Sequence, residues 1–293
     1  MAMKHFASAI LVAVLLAVPA TISAQTIDNL RPPTKTTKPT APKKKPVNKW
    51  SYKGHYYEGL CEVRDIHEKC GFIDETGKLV IPCAWNSVVC FQEGLCAVED
   101  DKGMWGFIDK EGQLVIPCVW KEARAFNEGL CFVKDEKGKY GYINNAGKVV
   151  LPCIWKYANY FYDGLAKVID EKGLHGFIDK TGKIIVPCVW KDVHYPMYNE
   201  GLVSVMDSSQ KWGFIDKTGQ LVIPCNWADA YFFSEGLAPV MDSNGKWGYI
   251  DLTGKLVIPC TWQEVEKFKN GYAKVKNAKG KVFKIDRTGK IIK

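Results

Sequence analysis

The sequence predicts an all-β fold: seven antiparallel β-meander repeats of about 35 residues, stacked as an open β-repeat array. Three regularities predict it. Six Pro-Cys pairs end at Cys83, Cys118, Cys153, Cys188, Cys225 and Cys260, with gaps of 35, 35, 35, 37 and 35 residues. Two positions past each Cys stands a Trp, namely Trp85, Trp120, Trp155, Trp190, Trp227 and Trp262. An acidic-Gly-Leu step recurs at Gly59, Gly94, Gly129, Gly164, Gly201 and Gly236, with Asn270-Gly271-Tyr272 as a seventh, altered copy. Trp50 continues the Trp series backwards by 35, so the repeats account for residues 50–293. The longer gap comes from two extra residues within 191–199, placed in a surface loop.

Each element of a copy follows from local pattern. In the second copy, residues 94–98 alternate apolar side chains as a short strand, and Asp100-Asp101-Lys102-Gly103 makes a turn. Residues 104–108 form a second strand, Asp109-Lys110-Glu111-Gly112 a second turn, and residues 113–117 a third strand. Residues 120–126 lead into the next copy and carry a fourth, short strand. Both turns read Asp-x-x-Gly. The carboxylate can accept from the turn backbone, and Gly takes positive φ without steric cost, which suits a type I turn with a Gly bulge. A single unit of this size cannot close a core, so its apolar faces must stack on neighbouring units. A seven-bladed β-propeller is the other closure that fits, since about 35 residues can hold a four-stranded blade. The last copy favours the open stack: Val282, Phe283 and Lys284 replace the Trp, Gly and Phe of earlier copies, as a capping unit requires.

Ahead of the repeats lie two segments of different composition. Residues 1–24 read as a secretory signal peptide: Lys4 and His5, an apolar run over residues 9–18, then Pro19 and small residues, with cleavage after Ala24 or Ala20. The run is too short to span a bilayer, so no transmembrane segment is expected in the mature chain. Residues 25–49 are a Pro/Lys/Thr-rich linker with too little apolar surface to fold. The chain carries a formal +8, of which the linker holds +6 and Lys4 another +1. Residues 50–293 are thus close to neutral overall, which argues against a basic nucleic-acid groove.

The tracts Trp105-Gly106-Phe107-Ile108-Asp109, Lys211-Trp212-Gly213-Phe214-Ile215-Asp216 and Lys246-Trp247-Gly248-Tyr249-Ile250-Asp251 resemble the WG-containing (KWG) repeat of bacterial proteins. Each is followed by Gly-Lys or Gly-Gln and an aliphatic-Pro step. Cys70, Tyr140 and His175 depart from the pattern by replacing the Trp. The resemblance implies a β-rich structural or interaction scaffold and supplies no catalytic residue.

Within this frame the chemistry-bearing residues acquire ordinary roles. The Trp-Gly step suits core packing, the Gly allowing close approach. The series Trp85, Trp120, Trp155, Trp190, Trp227 and Trp262 is the candidate ligand-binding ladder, because polar residues such as Asn86 and Lys121 follow several of its members. Asp74, Asp109, Asp179, Asp216, Asp251 and Asp286 recur with the turns, and calcium would need six to eight oxygens at one centre. Of eleven cysteines, Cys61, Cys96 and Cys131 exchange with Ala or Val in other copies, as buried small hydrophobes do. Cys70 and Cys90 occur only in the first copy and form a candidate disulfide. No zinc-like spacing, nucleophile elbow, cofactor motif or catalytic residue is read.

The expectation is an exported, non-catalytic interaction protein in the periplasm or on the cell surface of a bacterium, binding a protein or cell-envelope polymer. A carbohydrate- or peptidoglycan-binding module using the Trp ladder is the alternative. A propeller enzyme is the third reading; it would need a constellation unique to one copy, and the irregular site is His194-Tyr195-Pro196-Met197-Tyr198.

Overall fold

The computed structural model describes residues 50–194 and 198–292. The leader, the linker and the loop residues Tyr195, Pro196 and Met197 lie outside the described residues. The chain divides into two units, Met1–Val47 and Asn48–Lys293, and the described residues belong to the second.

Every element among the described residues is a strand, and the strands form seven four-stranded sheets. Sheets 1 to 7 cover residues 52–85, 87–120, 122–155, 157–190, 192–227, 229–262 and 264–292. Strands follow chain order within each sheet, every neighbour antiparallel. Sheet 2 shows the pattern with Ser87–Val88, Cys96–Glu99, Trp105–Ile108 and Leu114–Trp120. The short strand expected in the connector exists, and pairing assigns it to the sheet that follows: Glu122–Ala123 lies against Leu130–Lys134.

The fourth strand runs past the Pro-Cys pair to the Trp. Trp105 lies opposite Trp120 and Phe107 opposite Ile116, so the one residue between them, Gly106, faces three on the other strand. Pro117, Cys118 and Val119 fill that bulge, where a missing Pro N–H costs no ladder bond. Gly106 is the counterpart of the bulge. A Cβ there would stand 2.5 Å from Ile116 O and 2.8 Å from both Cys118 N and Cys118 Sγ. All six copies with Pro-Cys have this Gly; in sheet 7 its position holds Phe283, which packs against Trp262. The Trp-Gly and Pro-Cys motifs are thus one device, a backbone-over-backbone crossing.

Turns account for the remaining constants. Asp109 Oδ1 accepts from Glu111 N at 3.1 Å and Gln113 N at 2.7 Å, and Gly112 N donates to Asp109 O at 3.0 Å. The acidic-Gly step is a two-residue hairpin loop with φ of 54° at Glu93 and 80° at Gly94, closed by paired Gln92–Leu95 backbone bonds. Two positive φ values in succession define a type I′ turn, whose twist matches the flanking strands. A non-Gly residue there costs on the order of 1 kcal/mol or more. The Glu93 carboxylate offsets this by accepting from Gly129 N of the next copy at 3.0 Å. Glu58, Glu128, Glu200 and Glu235 repeat the bond onto Gly94, Gly164, Gly236 and Gly271.

The core lies between sheets. Six clusters each join one sheet to the next; the cluster between sheets 2 and 3, for instance, unites Phe107 and Ile116 with Phe126, Val133 and Ile143. At the centre of every seam two aromatics meet, Phe72–Phe91, Phe107–Phe126, Tyr142–Phe161, Phe177–Tyr198, Phe214–Phe233 and Tyr249–Phe268, with centroids 4.8 to 5.4 Å apart. Such pairs contribute about 0.5–1.5 kcal/mol beyond area burial. The series stops at both ends. Lys284 occupies the Phe107 position in sheet 7 and is exposed, while Tyr56 occupies the Phe91 position in sheet 1 and is 40% exposed. The seventh cluster, Cys61, Val63 and Ile73 with Trp50, Leu79 and Cys83, contains no residue of sheet 7. Among the described residues no cluster, aromatic pair or strand pairing joins sheet 7 to sheet 1.

Candidate functional site

The repeated polar residues are occupied in turns and seams. The carboxylates of Asp74, Asp179, Asp216, Asp251 and Asp286 each accept two backbone N–H bonds and a Thr hydroxyl. The Thr hydroxyl and the turn backbone hold all five below the usual Asp range. Among the described residues no group of three acidic, His or Cys side chains is placed to hold a metal ion.

All eleven cysteines, including Cys70 and Cys90, are free thiols. Burial raises each of them, Cys70, Cys118, Cys153, Cys188 and Cys225 to about 11 and Cys131 to about 12. A nearby turn Asp adds to the rise at each Pro-Cys thiol, as Asp100 does at Cys118. Thiols of this kind are protonated at neutral pH and weakly nucleophilic.

The Trp ladder is regular but half-committed. Trp85, Trp120, Trp155, Trp190, Trp227 and Trp262 stand opposite Cys70, Trp105, Tyr140, His175, Trp212 and Trp247 in the strand register. All six are half-buried and each packs on a seam cluster. The indole nitrogens of Trp120 and Trp190 are buried without a hydrogen-bond partner.

The exposed aromatics are tyrosines that the ladder did not indicate. Tyr52, Tyr56, Tyr57, Tyr157, Tyr162 and Tyr231 are 38 to 50% exposed, and all lie on the first strand of a sheet or just after it. Their neighbours hold several rings in place: the Tyr56 hydroxyl donates to Asp74 O at 3.1 Å, and Tyr231 stacks on Trp247 at 4.9 Å. A cleft of about 290 Å³ opens at the seam of sheets 1 and 2, with Tyr52, Tyr57, His55 and Glu62 in its walls. Another, of about 390 Å³, lies beside Tyr231 and Phe232 at the seam of sheets 6 and 7. The positions equivalent to Tyr52 hold Ser87, Glu122, Tyr157, Asp192, Asp229 and Glu264. Variation at one place in otherwise constant repeats was the available signal.

One seam holds a titratable cluster. His175, in place of the Trp, has a buried Nδ1 that lies 3.8 Å from Asp192 Oδ1 and makes no hydrogen bond. Burial and the Lys167 charge lower its pKa, and burial lowers that of Lys167 itself. His194 stacks on Trp212 at 3.8 Å and its Nδ1 lies 2.7 Å from Ala230 O, so it bridges sheets 5 and 6.

A family model described as the WG containing repeat matches residues 71–102, 105–140, 140–172, 176–207, 212–247 and 247–281. No curated protein matches the chain. Among solved structures, the computationally designed Ika8 protein is similar at a TM-score of 0.41 and 12% identity, over 78% of this chain and 81% of that one. BamB from Moraxella catarrhalis gives 0.40 and 12%, over 76% and 78%. The C-terminal WD40 domain of Sif2 gives 0.36 and 13%, over 78% of each. Scores below 0.5 do not establish a shared arrangement of sheets.

Proposed function

We propose that this chain, which belongs to the WG containing repeat family, is a non-catalytic interaction scaffold whose contact surface is the tyrosine-bearing first-strand side of its sheets. One observation carries the reading. Residues constant between copies are consumed by turns, bulges and seams, whereas exposed aromatics vary between copies and gather on the first strand of a sheet or just after it. Tyrosine gives large, rigid contact area with a polar tip, the composition of binding surfaces. The apolar run at residues 9–18 supports export to the periplasm or cell surface, where a protein or an envelope polymer would be the ligand.

The test is retention from a solubilised envelope fraction by the immobilised chain, wild type beside Y52S/Y57S. Ligands held by the wild type and lost by the variant support the reading; identical retention overturns it. Binding of glycans is the second reading, favoured by the half-exposed Trp rings. Peptidoglycan fragments and a glycan panel should then shift intrinsic Trp fluorescence, and unchanged spectra exclude that use of the ladder.

A further inference from the structure

Charge in the repeats is segregated. Residues 264–293 hold ten Lys or Arg against three acidic residues, a net +7, while residues 50–263 hold 22 against 28, a net −6. The near-neutral whole conceals a cationic sheet 7.

Strand register places three of those ten cations, Lys274, Lys276 and Lys284, on one face, where Lys276 is paired with Glu264 at 2.8 Å. Lys274 lies opposite Lys284, and Lys284 opposite Ile292; Glu264, Lys276 and Val282 form the adjacent row. In sheets 1 to 6 this face receives the next sheet, with Phe107 or its equivalent at the Lys284 position. In sheet 7 Lys274 and Lys284 are exposed, and Val282 and Ile292 are 58% and 37% exposed among them. Two lysines directly opposite on neighbouring strands repel each other. The relief available within the sheet is modest: Lys274 Nζ is 3.9 Å from Glu266, and Lys284 Nζ lies over the Tyr272 ring at 4.8 Å.

We propose that this outer face of sheet 7 docks on an anionic phospholipid surface. Phosphate headgroups neutralise the opposed lysines, and the exposed Val282 and Ile292 enter the headgroup–acyl boundary. Basic residues interleaved with aliphatics suit that boundary. A nucleic-acid backbone would match the charge and leave the aliphatic side chains without an apolar partner.

The test is co-sedimentation of the full chain with phosphatidylcholine vesicles with and without phosphatidylglycerol. The phosphatidylglycerol-dependent part of the affinity should fall by at least about 25-fold in K274E/K284E, roughly fivefold for each lysine removed, with repulsion by the added carboxylates on top. Lys284→Gln alone should give about fivefold. K121E/K156E makes the same charge change at the entries to sheets 3 and 4 and should stay within about twofold, since screened charges away from the contact matter little. The cations of residues 25–49 are common to all variants and cannot produce the difference. Both altered sites in K274E/K284E are exposed, and an unchanged circular dichroism spectrum verifies folding. Equal loss in K274E/K284E and K121E/K156E, undiminished binding by K274E/K284E, or no dependence on phosphatidylglycerol overturns the proposal. So does tighter binding to duplex DNA than to the vesicles at one salt concentration.

Discussion

Replacing Gly106 by Ala tests whether the Trp-Gly step exists for the backbone crossing. A Gly→Ala change in a strand interior ordinarily gains about 0.5–1 kcal/mol, because the unfolded chain loses freedom. Gly106 is not among the residues with positive φ, so conformation alone would permit that gain. The added Cβ, however, would meet Ile116 O at 2.5 Å and Cys118 N at 2.8 Å. Carbon and oxygen rarely approach closer than about 3.3 Å, so the bulge must retreat by most of an ångström. Overpacking of this kind costs about 1–3 kcal/mol, and each ladder bond stretched adds about 1 kcal/mol. The expected destabilisation is about 3 kcal/mol, seen in urea unfolding followed by Trp fluorescence as a midpoint lower by about 1 M. Adding Cys118→Ala removes the thiol at 2.8 Å but leaves both backbone atoms, so the double variant should remain unstable. Wild-type stability in G106A refutes the crossing as the cause. Full recovery in G106A/C118A would assign the motif to the thiol instead.

Phe107→Ala, at a fully buried seam position, should cost about 3–5 kcal/mol in the same assay. Lys284→Phe restores the apolar seam residue on an unpartnered face and should raise self-association in sedimentation velocity. Because His175 has a lowered pKa in the fold, the unfolded chain binds the extra proton first as pH falls below about 6.5. That part of the stability is present above about 6.5 and is lost as pH drops toward the folded value; H175W should flatten the slope in that window. With every thiol raised by burial, alkylation at neutral pH should be slow in the native chain and reach eleven groups after unfolding without reductant. Nine groups would indicate a single bridge, with Cys70–Cys90 the first pair to examine.

Features that depend on neighbours along the chain were legible in the amino-acid order. An Asp that caps its own turn and the Gly that closes that turn, as Gly112 does on Asp109, form contacts within one copy, so period and alternation display them. The seven copies, the strand order and the turn role of Asp109 and its equivalents were legible for that reason. Partnerships across a seam were not, since Phe107 meets Phe126 in the next copy and neither belongs to a local pattern. The acidic-Gly-Leu step likewise showed in the sequence only as a recurring marker ahead of a strand, because the bond from Gly129 N to the Glu93 carboxylate crosses to the next copy.

Length, repeat number and the chemistry of each turn were therefore decided by the amino-acid order, because hydrogen bonds a few residues apart leave a fixed spacing. Stacking decided the rest: which sheet the short strand joins, that Trp-Gly and Pro-Cys serve one crossing, that the Trp ladder is half sunk in the seams, and that the last sheet turns a row of lysines outward. Those features arise from sheets meeting face to face, and a face collects residues from separate strands that no linear interval connects.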